Sequence, residues 1–240
     1  MTILLTGGSG RLGTELKELL ELTAPPRQEL DVADIESVHS ALERYQPGLV
    51  IHAAAYTNVA EAETERESCW RANVLGTRHI VAAAQEAGAA LVHISTDYVF
   101  SGDRGGYLED DPPGPVRNYY ALSKLVAEEA VRAHPDHLII RTSFRPREWP
   151  YPVAFDDIYT SQDYVDIIAP DIALAARRFP DIPFDTLHIA TERKSVYELA
   201  KRRKPDVNRG SKAEAKVALP EDISLDSSRW QQLKQDWGAA

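Results

Sequence analysis

Hydrophobic residues along the chain form short continuous runs that alternate with segments in which apolar positions recur every three or four residues. The first run, TILLT at residues 2–6, is rich in leucine and β-branched residues and ends in glycines, which is typical of a strand buried on both faces of a parallel sheet. Leu12, Leu16, Leu19 and Leu20 then recur at helical spacing, until the prolines of TAPPRQEL prevent continuation. The pattern therefore predicts a strand, a glycine-rich turn and a helix.

The same alternation continues through the next 130 residues or so of the chain and appears once more near residue 190. Further strands are predicted at residues 48–54, 90–95, 137–143 and 186–190, and further helices at residues 35–45, about 69–87, about 119–133, 164–178 and from Ser195 onward. Repeated β-α-β units with buried strands indicate an α/β fold, a doubly wound parallel sheet of the Rossmann, NAD(P)-binding type.

After Ser143 the regular alternation of predicted strands and helices is interrupted. The segment FRPREWPYP contains three prolines in nine residues and is predicted to be an extended loop. We therefore expect an NAD(P)-binding domain at residues 1–143, followed by a small, reduced substrate-binding region at residues 144–240. Part of this region, at about residues 160–200, is expected to return to the sheet, and its last residues are expected to form a polar tail.

Composition excludes several classes of protein. Hydrophobic residues make up 43% of the 240-residue chain, yet no apolar run approaches the ~18 residues of a membrane helix, so no membrane association is expected. A formal charge of −10 argues against nucleic-acid binding. The single cysteine, Cys69, and a start that leads straight into a strand without a signal peptide predict a cytoplasmic protein. The seven histidines lack the spacing of metal ligands, so no metal is expected.

The glycine loop is the first candidate for chemistry. In TGGSGRLGTE, Gly7, Gly10 and Gly13 are three residues apart, and Gly8 with the last two also satisfies G-x-G-x-x-G. Between a strand and a helix, such glycines let the backbone approach a pyrophosphate that rests on the helix N-terminus. An ATP-binding P-loop is excluded because Thr14, and not lysine, follows Gly13. The remaining alternative is that the glycines serve only tight packing of strand and helix.

The type of dinucleotide is indicated by charge. NAD-specific folds place an acidic residue at the end of the second strand to hold the ribose 2′-hydroxyl. In the corresponding region of this sequence, LTAPPRQELD, the first charged residue is Arg27. Together with Arg11, it could accept a 2′-phosphate. This favours NADP(H), whereas two solvated arginines would leave NAD(H) equally possible. Asp31 is a candidate contact to the adenine end.

A tyrosine and lysine pair is the second candidate. In NYYALSK, Tyr120 and Lys124 are four residues apart, so on a helix their side chains lie on the same face. Tyr119, five residues from Lys124, lies on a different face. A phenol with an ordinary pKa near ~10 becomes useful in proton transfer if an adjacent ammonium lowers that pKa. Such pairs also occur by chance on helix surfaces. However, the stretch VHISTDYVFSG brings Thr96 to the carboxyl edge of the sheet, where ligands bind, so that its hydroxyl could orient a substrate carbonyl toward Tyr120.

Five stretches, in order along residues 1 to about 143, resemble the extended short-chain dehydrogenase/reductase superfamily and, within it, the dTDP-4-dehydrorhamnose reductase family. They are TILLTGGSGRLGTEL, ELDVADIESV, HAAAYTNVAEAE, ISTDYVFSG with YALSKLVAEE, and LIIRTS. The resemblance implies hydride transfer from NAD(P)H to the C4 keto group of a nucleotide-linked 6-deoxy sugar. A homodimer is common in the superfamily, although no apolar stripe in this sequence specifies one.

The resemblance also implies roles for individual residues. Tyr120 would protonate the developing alkoxide, Lys124 would lower the pKa of Tyr120 and bind the nicotinamide ribose, and Thr96 would hydrogen-bond the keto oxygen. Asp97 and Phe144 would contact the sugar. Cofactor contacts would come from Gly10, Arg11, Leu12, Asp31, Val32, Ala54, Ala55, Tyr56 and Thr57.

The sequence departs from the family after Ser143, where a segment of roughly two dozen residues before the next family helix is missing. This departure leaves open a non-catalytic, NADP-binding regulatory or scaffold subunit, which the superfamily also contains. A nucleotide-sugar epimerase or dehydratase is a further alternative, against which STDYVF argues. The combination of Thr96, Tyr120 and Lys124 favours the reductase.

Overall fold

A computed structural model describes residues 2–214 and 219–239. Its centre is a five-stranded parallel sheet with helices on both faces, which confirms the predicted fold class. The strands are β1 (Ile3–Thr6), β2 (Leu49–His52), β3 (Ala90–Thr96), β4 (His137–Thr142), β5 (Phe144–Arg145), β6 (Val153–Phe155), β7 (Tyr159–Thr160), β8 (Asp163–Tyr164), β9 (Thr186–His188), β10 (Lys194–Ser195) and β11 (Asn208–Gly210). The helices are α1 (Arg11–Leu19), α2 (Ile35–Tyr45), α3 (Arg66–Trp70), α4 (Gly76–Ala87), α5 (Tyr119–Val131), α6 (Val165–Arg177), α7 (Val196–Lys201) and α8 (Ser228–Asp236).

The sheet has the order β1-β2-β3-β4-β9, so the predicted strand TLHIA pairs with β4. On the free side of β1, Thr23 takes the place of a further strand. Its amide donates to the carbonyl of Ile3 at 2.9 Å, and the amide of Leu5 donates to its carbonyl at 2.8 Å. Pro25 and Pro26 follow at once and have no N–H to continue a ladder. A single bridge therefore replaces a strand, and the chain turns over the end of β1.

Each face of the sheet has its own apolar core. On one face α1, α6 and α8 pack with Leu16, Ile172 and Trp230 fully buried. On the other face, α2 and α4 contribute Val38 and Ile80 to a second cluster. Burial on both faces explains why the sheet strands read as continuous apolar runs.

Three elements differ from the sequence-based expectation. The predicted helix at residues 69–87 begins earlier, at Arg66, and contains a π-helical turn at Arg71–Leu75 between α3 and α4. The expected loop after Ser143 opens with β5, which pairs in parallel with β8. The expected polar tail forms the helix α8, which is polar over most of its length but buries Trp230, whose Nε1 donates to Asp171 at 2.8 Å. A short helix with few apolar residues is stabilised here by one large aromatic side chain at the sheet.

Candidate functional site

A cavity of about 1180 Å³ runs along the carboxyl ends of β1, β2, β3 and β4. Almost all the candidate residues of the sequence analysis line it. They are Gly7, Gly10, Arg11, Leu12, Gly13, Arg27, Asp31, Val32, Ala54, Ala55, Thr57, Thr96, Asp97, Tyr120, Lys124 and Phe144. Open α/β sheets bind ligands at this edge, so the cavity is the candidate active site.

The glycine loop forms one end of the cavity. Gly7 has φ +76°, and a Cβ at Gly13 would lie 2.3 Å from the carbonyl oxygen of Gly7, so the tight turn requires both glycines. Gly10 caps α1 without a side-chain hydrogen bond, and the first turn of α1 contains no acidic residue. The amide end of the helix is therefore suited to a phosphate group.

Arg27 and Asp31 lie at the mouth of the same end. The guanidinium of Arg27 donates to Asp31 Oδ2 at 3.2 Å, and the Arg27 side chain is 80% exposed. Asp31 Oδ1 accepts the amide of Ala33 at 3.0 Å, which fixes the carboxylate at the cavity wall. The two side chains are paired with each other, so a bound 2′-phosphate would compete with Asp31 for Arg27.

The segment after β2 is held by a residue that the sequence analysis missed. Asn73, buried in the π-helical turn, accepts the amide of Tyr56 at 2.7 Å and donates to Ser123 Oγ on α5 at 2.9 Å. Its only sequence signal is a lone amide within an apolar helical run. Tyr56 itself does not line the cavity: its side chain packs against the cluster of Ala62, Cys69 and Tyr120 and donates to Glu61 at 3.2 Å. Only the neighbours of Tyr56 in AAAYT therefore reach the cavity wall.

The two tyrosines of NYYALSK face in different directions, as helical spacing predicts. Tyr120 and Lys124 are both buried and line the cavity. Tyr119 packs against Trp70, with ring centroids 6.4 Å apart, and beneath the guanidinium of Arg66 at 5.1 Å. Asn118 caps α5 by accepting the amide of Ala121 at 2.8 Å, which fixes where the helix begins.

Lys124 is directed at β3. Its ammonium donates to the carbonyl of Ile94 at 2.8 Å and to His93 Nε2 at 3.1 Å. Burial lowers the pKa of Lys124 to about 8, and the nearby carboxylate of Glu128 opposes that shift. Burial and the Lys124 charge also hold the pKa of His93 well below its usual range, so His93 is neutral and its Nε2 can accept a hydrogen bond from the lysine ammonium.

Tyr120 does not have the lowered pKa that the sequence analysis expected. Burial raises the pKa of the phenol, and a hydrogen bond with the Thr96 hydroxyl opposes the shift only in part. The Lys124 ammonium is bonded to Ile94 and His93 of β3 and not to the phenol. Tyr120 therefore keeps its proton at neutral pH, which is the state required of a proton donor.

Thr96 and Asp97 end β3 beside Tyr120. The hydroxyl of Thr96 donates to Asp97 Oδ1 at 3.0 Å and accepts the amide of Tyr98 at 3.2 Å. Burial raises the pKa of Asp97 to about 7, opposed by hydrogen bonds from Thr96 and Ser143. A carboxyl group that titrates near neutrality in a cavity is typical of a functional site.

Within residues 2–214 and 219–239, no group of three or more His, Cys, Asp and Glu side chains is arranged to hold a metal ion. None of the helices in the described part of the chain has the length and hydropathy needed to cross a membrane.

The fold and the cavity define a protein of the extended short-chain dehydrogenase/reductase type, with a glycine loop at one end of the cavity and a Thr, Tyr and Lys set along its wall. A family model described as RmlD substrate binding domain matches residues 1–145. The chain belongs to the dTDP-4-dehydrorhamnose reductase family that this model represents, as its motifs indicated.

Individual relatives agree with this assignment. The chain is 42% identical over 149 residues to dTDP-4-dehydrorhamnose reductase of Streptomyces griseus, a match that covers 59% of this chain and 49% of that protein. The chain thus spans about half the length of the curated relatives it matches.

Solved structures extend the similarity along the chain. The dTDP-4-dehydrorhamnose reductase of Bacillus anthracis str. Ames in complex with NADP has a TM-score of 0.84 and 30% identity, covering 97% of this chain and 91% of that one. A hypothetical dTDP-4-dehydrorhamnose reductase from Sulfolobus tokodaii has a TM-score of 0.85 and 34% identity, covering 97% and 94%. The fold after residue 145 is therefore retained where the family model no longer matches.

Proposed function

We propose that the protein is an NADPH-dependent reductase of the 4-keto group of a nucleotide-linked 6-deoxy sugar. The observation that carries this proposal is that Thr96, Asp97, Tyr120 and Lys124 lie on the wall of a cavity that continues into the glycine loop. The relatives named as dTDP-4-dehydrorhamnose reductases support this substrate class.

The residues at the glycine-loop end fit a dinucleotide phosphate. The uncapped start of α1 and the close turn at Gly7 and Gly13 leave room for a pyrophosphate, and Arg11 and Arg27 are available to a 2′-phosphate. NADP is the ligand of the B. anthracis relative, which favours NADP(H) over NAD(H) here. The bound cofactor would supply the hydride, and the protein would supply orientation and protons.

Tyr120 is the proposed proton donor. Its raised pKa keeps the phenol protonated until negative charge develops on the substrate oxygen. Thr96, beside the same phenol on the cavity wall, would hold the keto oxygen toward it. Lys124 would move from the carbonyl of Ile94 to the nicotinamide ribose, close enough for its charge to favour proton release from Tyr120.

Asp97 and Phe144 are the proposed sugar contacts. An ionised Asp97 can accept hydrogen bonds from sugar hydroxyls, while Phe144 offers an apolar face at the start of β5. We propose residues 1–143 as the cofactor domain and residues 144–240 as the substrate region. A cytoplasmic location and a homodimer belong to the same proposal.

The decisive experiment is turnover with purified protein. We expect NADPH oxidation, followed by absorbance, when dTDP-4-dehydrorhamnose or its UDP analogue is added. NADPH binding without turnover on either substrate would instead support a regulatory or scaffold subunit, for which the sequence divergence after residue 145 is the supporting observation. Sugar conversion without net NADPH consumption, by protein that copurifies with NAD, would support an epimerase or dehydratase.

A further inference from the structure

Arg145 is a cationic side chain of the cavity wall that the proposed chemistry does not use. It is the second residue of β5, half-buried, and it lines the cavity near the reacting end. No carboxylate oxygen of the described residues lies within 4.0 Å of its guanidinium nitrogens. By contrast Arg147, two residues on, lies outside the cavity and forms an ion pair with Glu15 at 2.7 Å.

Aromatic rings hold Arg145 in place. Its guanidinium carbon lies 5.5 Å from the ring centroid of Trp149 and 5.9 Å from that of Tyr151. The two rings contact each other edge to face, with centroids 5.6 Å apart, and Trp149 is buried in an apolar cluster with Ile158. Cation–π contacts orient a guanidinium but leave its positive charge unneutralised.

The surroundings of Arg145 on the cavity side contain one acidic group, Asp97. Arg145 is close enough to lower the pKa of Asp97, but burial still holds that pKa near 7, so at neutral pH Asp97 carries only part of a charge. The other cavity cations lie elsewhere: Arg11 and Arg27 at the glycine-loop end, and Lys124 bonded to β3. Among the described lining residues that follow β4, Arg145 is the only cation.

We propose that Arg145 binds a phosphate of the substrate's nucleoside diphosphate, with Trp149 and Tyr151 as the aromatic support that aims it. This inference rests on the proposed function, because it assigns the anionic part of the same substrate. A guanidinium in a fixed orientation can donate two parallel hydrogen bonds to phosphate oxygens, and partial removal from water strengthens them. Arg145 is then a specificity residue that selects nucleotide-linked sugars over free ones.

The test measures dTDP binding by calorimetry to protein saturated with NADPH, for wild type, Arg145→Gln, Arg145→Lys and the matched control Arg147→Gln. Arg145→Gln removes a charged hydrogen-bond donor, and this loss should weaken dTDP binding by about tenfold or more. Arg145→Lys should recover part of that loss, and Arg147→Gln should bind like wild type. Melting temperatures establish that each variant is folded, and NADPH affinity should be the same in all four proteins.

Three results would overturn the assignment: wild-type protein that does not bind dTDP, equal dTDP affinity in wild type and Arg145→Gln, or a loss confined to NADPH affinity. Turnover separates this inference from the proposed function. If wild type reduces the sugar and Arg145→Gln has an unchanged KM, the phosphate contact fails and the reductase stands. If Arg145-dependent dTDP binding is found without turnover, the phosphate contact stands and the reductase fails.

Discussion

The half of the molecule built around the glycine loop and the half that follows β4 are constrained in different ways. In the first, backbone atoms approach one another so closely that particular residues are required: a Cβ at Gly13 would strike the carbonyl of Gly7 at 2.3 Å. In the second, an apolar cluster around Trp149 and the packing of Trp230 into the core on one face of the sheet hold the fold, and volume-conserving apolar changes are usually tolerated at such positions. Sequence similarity accordingly follows residues 1–145, while structural similarity covers 97% of the chain.

On the proposed function, this difference assigns the two halves different roles. Cofactor binding and proton transfer would depend on a few fixed residues of the first half. The second half can change its cavity wall, as at Arg145, Trp149 and Tyr151, without losing the sheet beneath it. Changes in the first half should therefore act on rate, and changes in the second half on stability or substrate choice.

The largest effect is expected from Tyr120→Phe in the first half. Removing the proposed proton donor should lower kcat by roughly 10²–10⁴-fold while leaving NADPH affinity nearly unchanged. Steady-state kinetics and NADPH titration measure the two quantities. Tyr119→Phe is the matched control, since Tyr119 packs on Trp70 away from the cavity; an equal loss in that variant would contradict the assignment of Tyr120.

In the second half, Trp230→Ala tests whether one aromatic side chain holds α8 on the sheet. Removing a fully buried tryptophan should reduce the free energy of unfolding by roughly 3–5 kcal/mol. Trp237→Ala, which removes a half-buried ring from the C-terminal end of the same helix, should cost less. Urea denaturation compares the variants, and a loss below about 1 kcal/mol for Trp230→Ala would contradict this role of the tail, since surface substitutions cost that little.

The pH dependence of kcat/KM tests Asp97, which follows β3 and lines the cavity beside Tyr120. With a pKa of about 7, Asp97 is ionised above neutrality, so an activity that needs its carboxylate should fall as the pH decreases through 7. Above about pH 8 activity should fall again as Lys124 loses its proton. Asp97→Asn should remove the acidic limb and keep the alkaline one; an unchanged acidic limb would assign it to another group.

The raised pKa of Asp97 also predicts the direction in which the stability of the protein changes with pH. Because burial raises the Asp97 pKa from 3.8 to about 7, the folded chain binds the proton more tightly than the unfolded chain. Stability is therefore lost as the pH rises between these values. Asp97→Asn should flatten that part of the stability curve in thermal unfolding measured across pH.

The smallest effect is expected from Arg27→Ala. Arg27 is 80% exposed, so solvent screens its charge and the preference for NADPH over NADH should change by about two- to tenfold. Arg44→Ala, which removes an exposed arginine paired with Glu29, is the control. If the ratio of NADPH affinity to NADH affinity is the same in wild type and in Arg27→Ala, Arg27 is not part of the proposed 2′-phosphate site.

The sequence by itself determined the strand and helix alternation, the position of the glycine loop and the choice of Tyr120 over Tyr119. These features depend on local spacing: a period of two or of 3.6 residues, or glycines at fixed intervals, is visible in any short window. The family followed from the same motifs.

Only the tertiary structure decided where Lys124 points, why the pKa of Tyr120 is raised, how Asn73 fixes the segment after β2 and why α8 is buried. Lys124 bonds to residues about 30 positions earlier, and Trp230 bonds to Asp171, 59 positions away. Burial and the resulting pKa shifts arise from such long-range packing, since they depend on which distant side chains exclude water. Local periodicity carries no information about those partners.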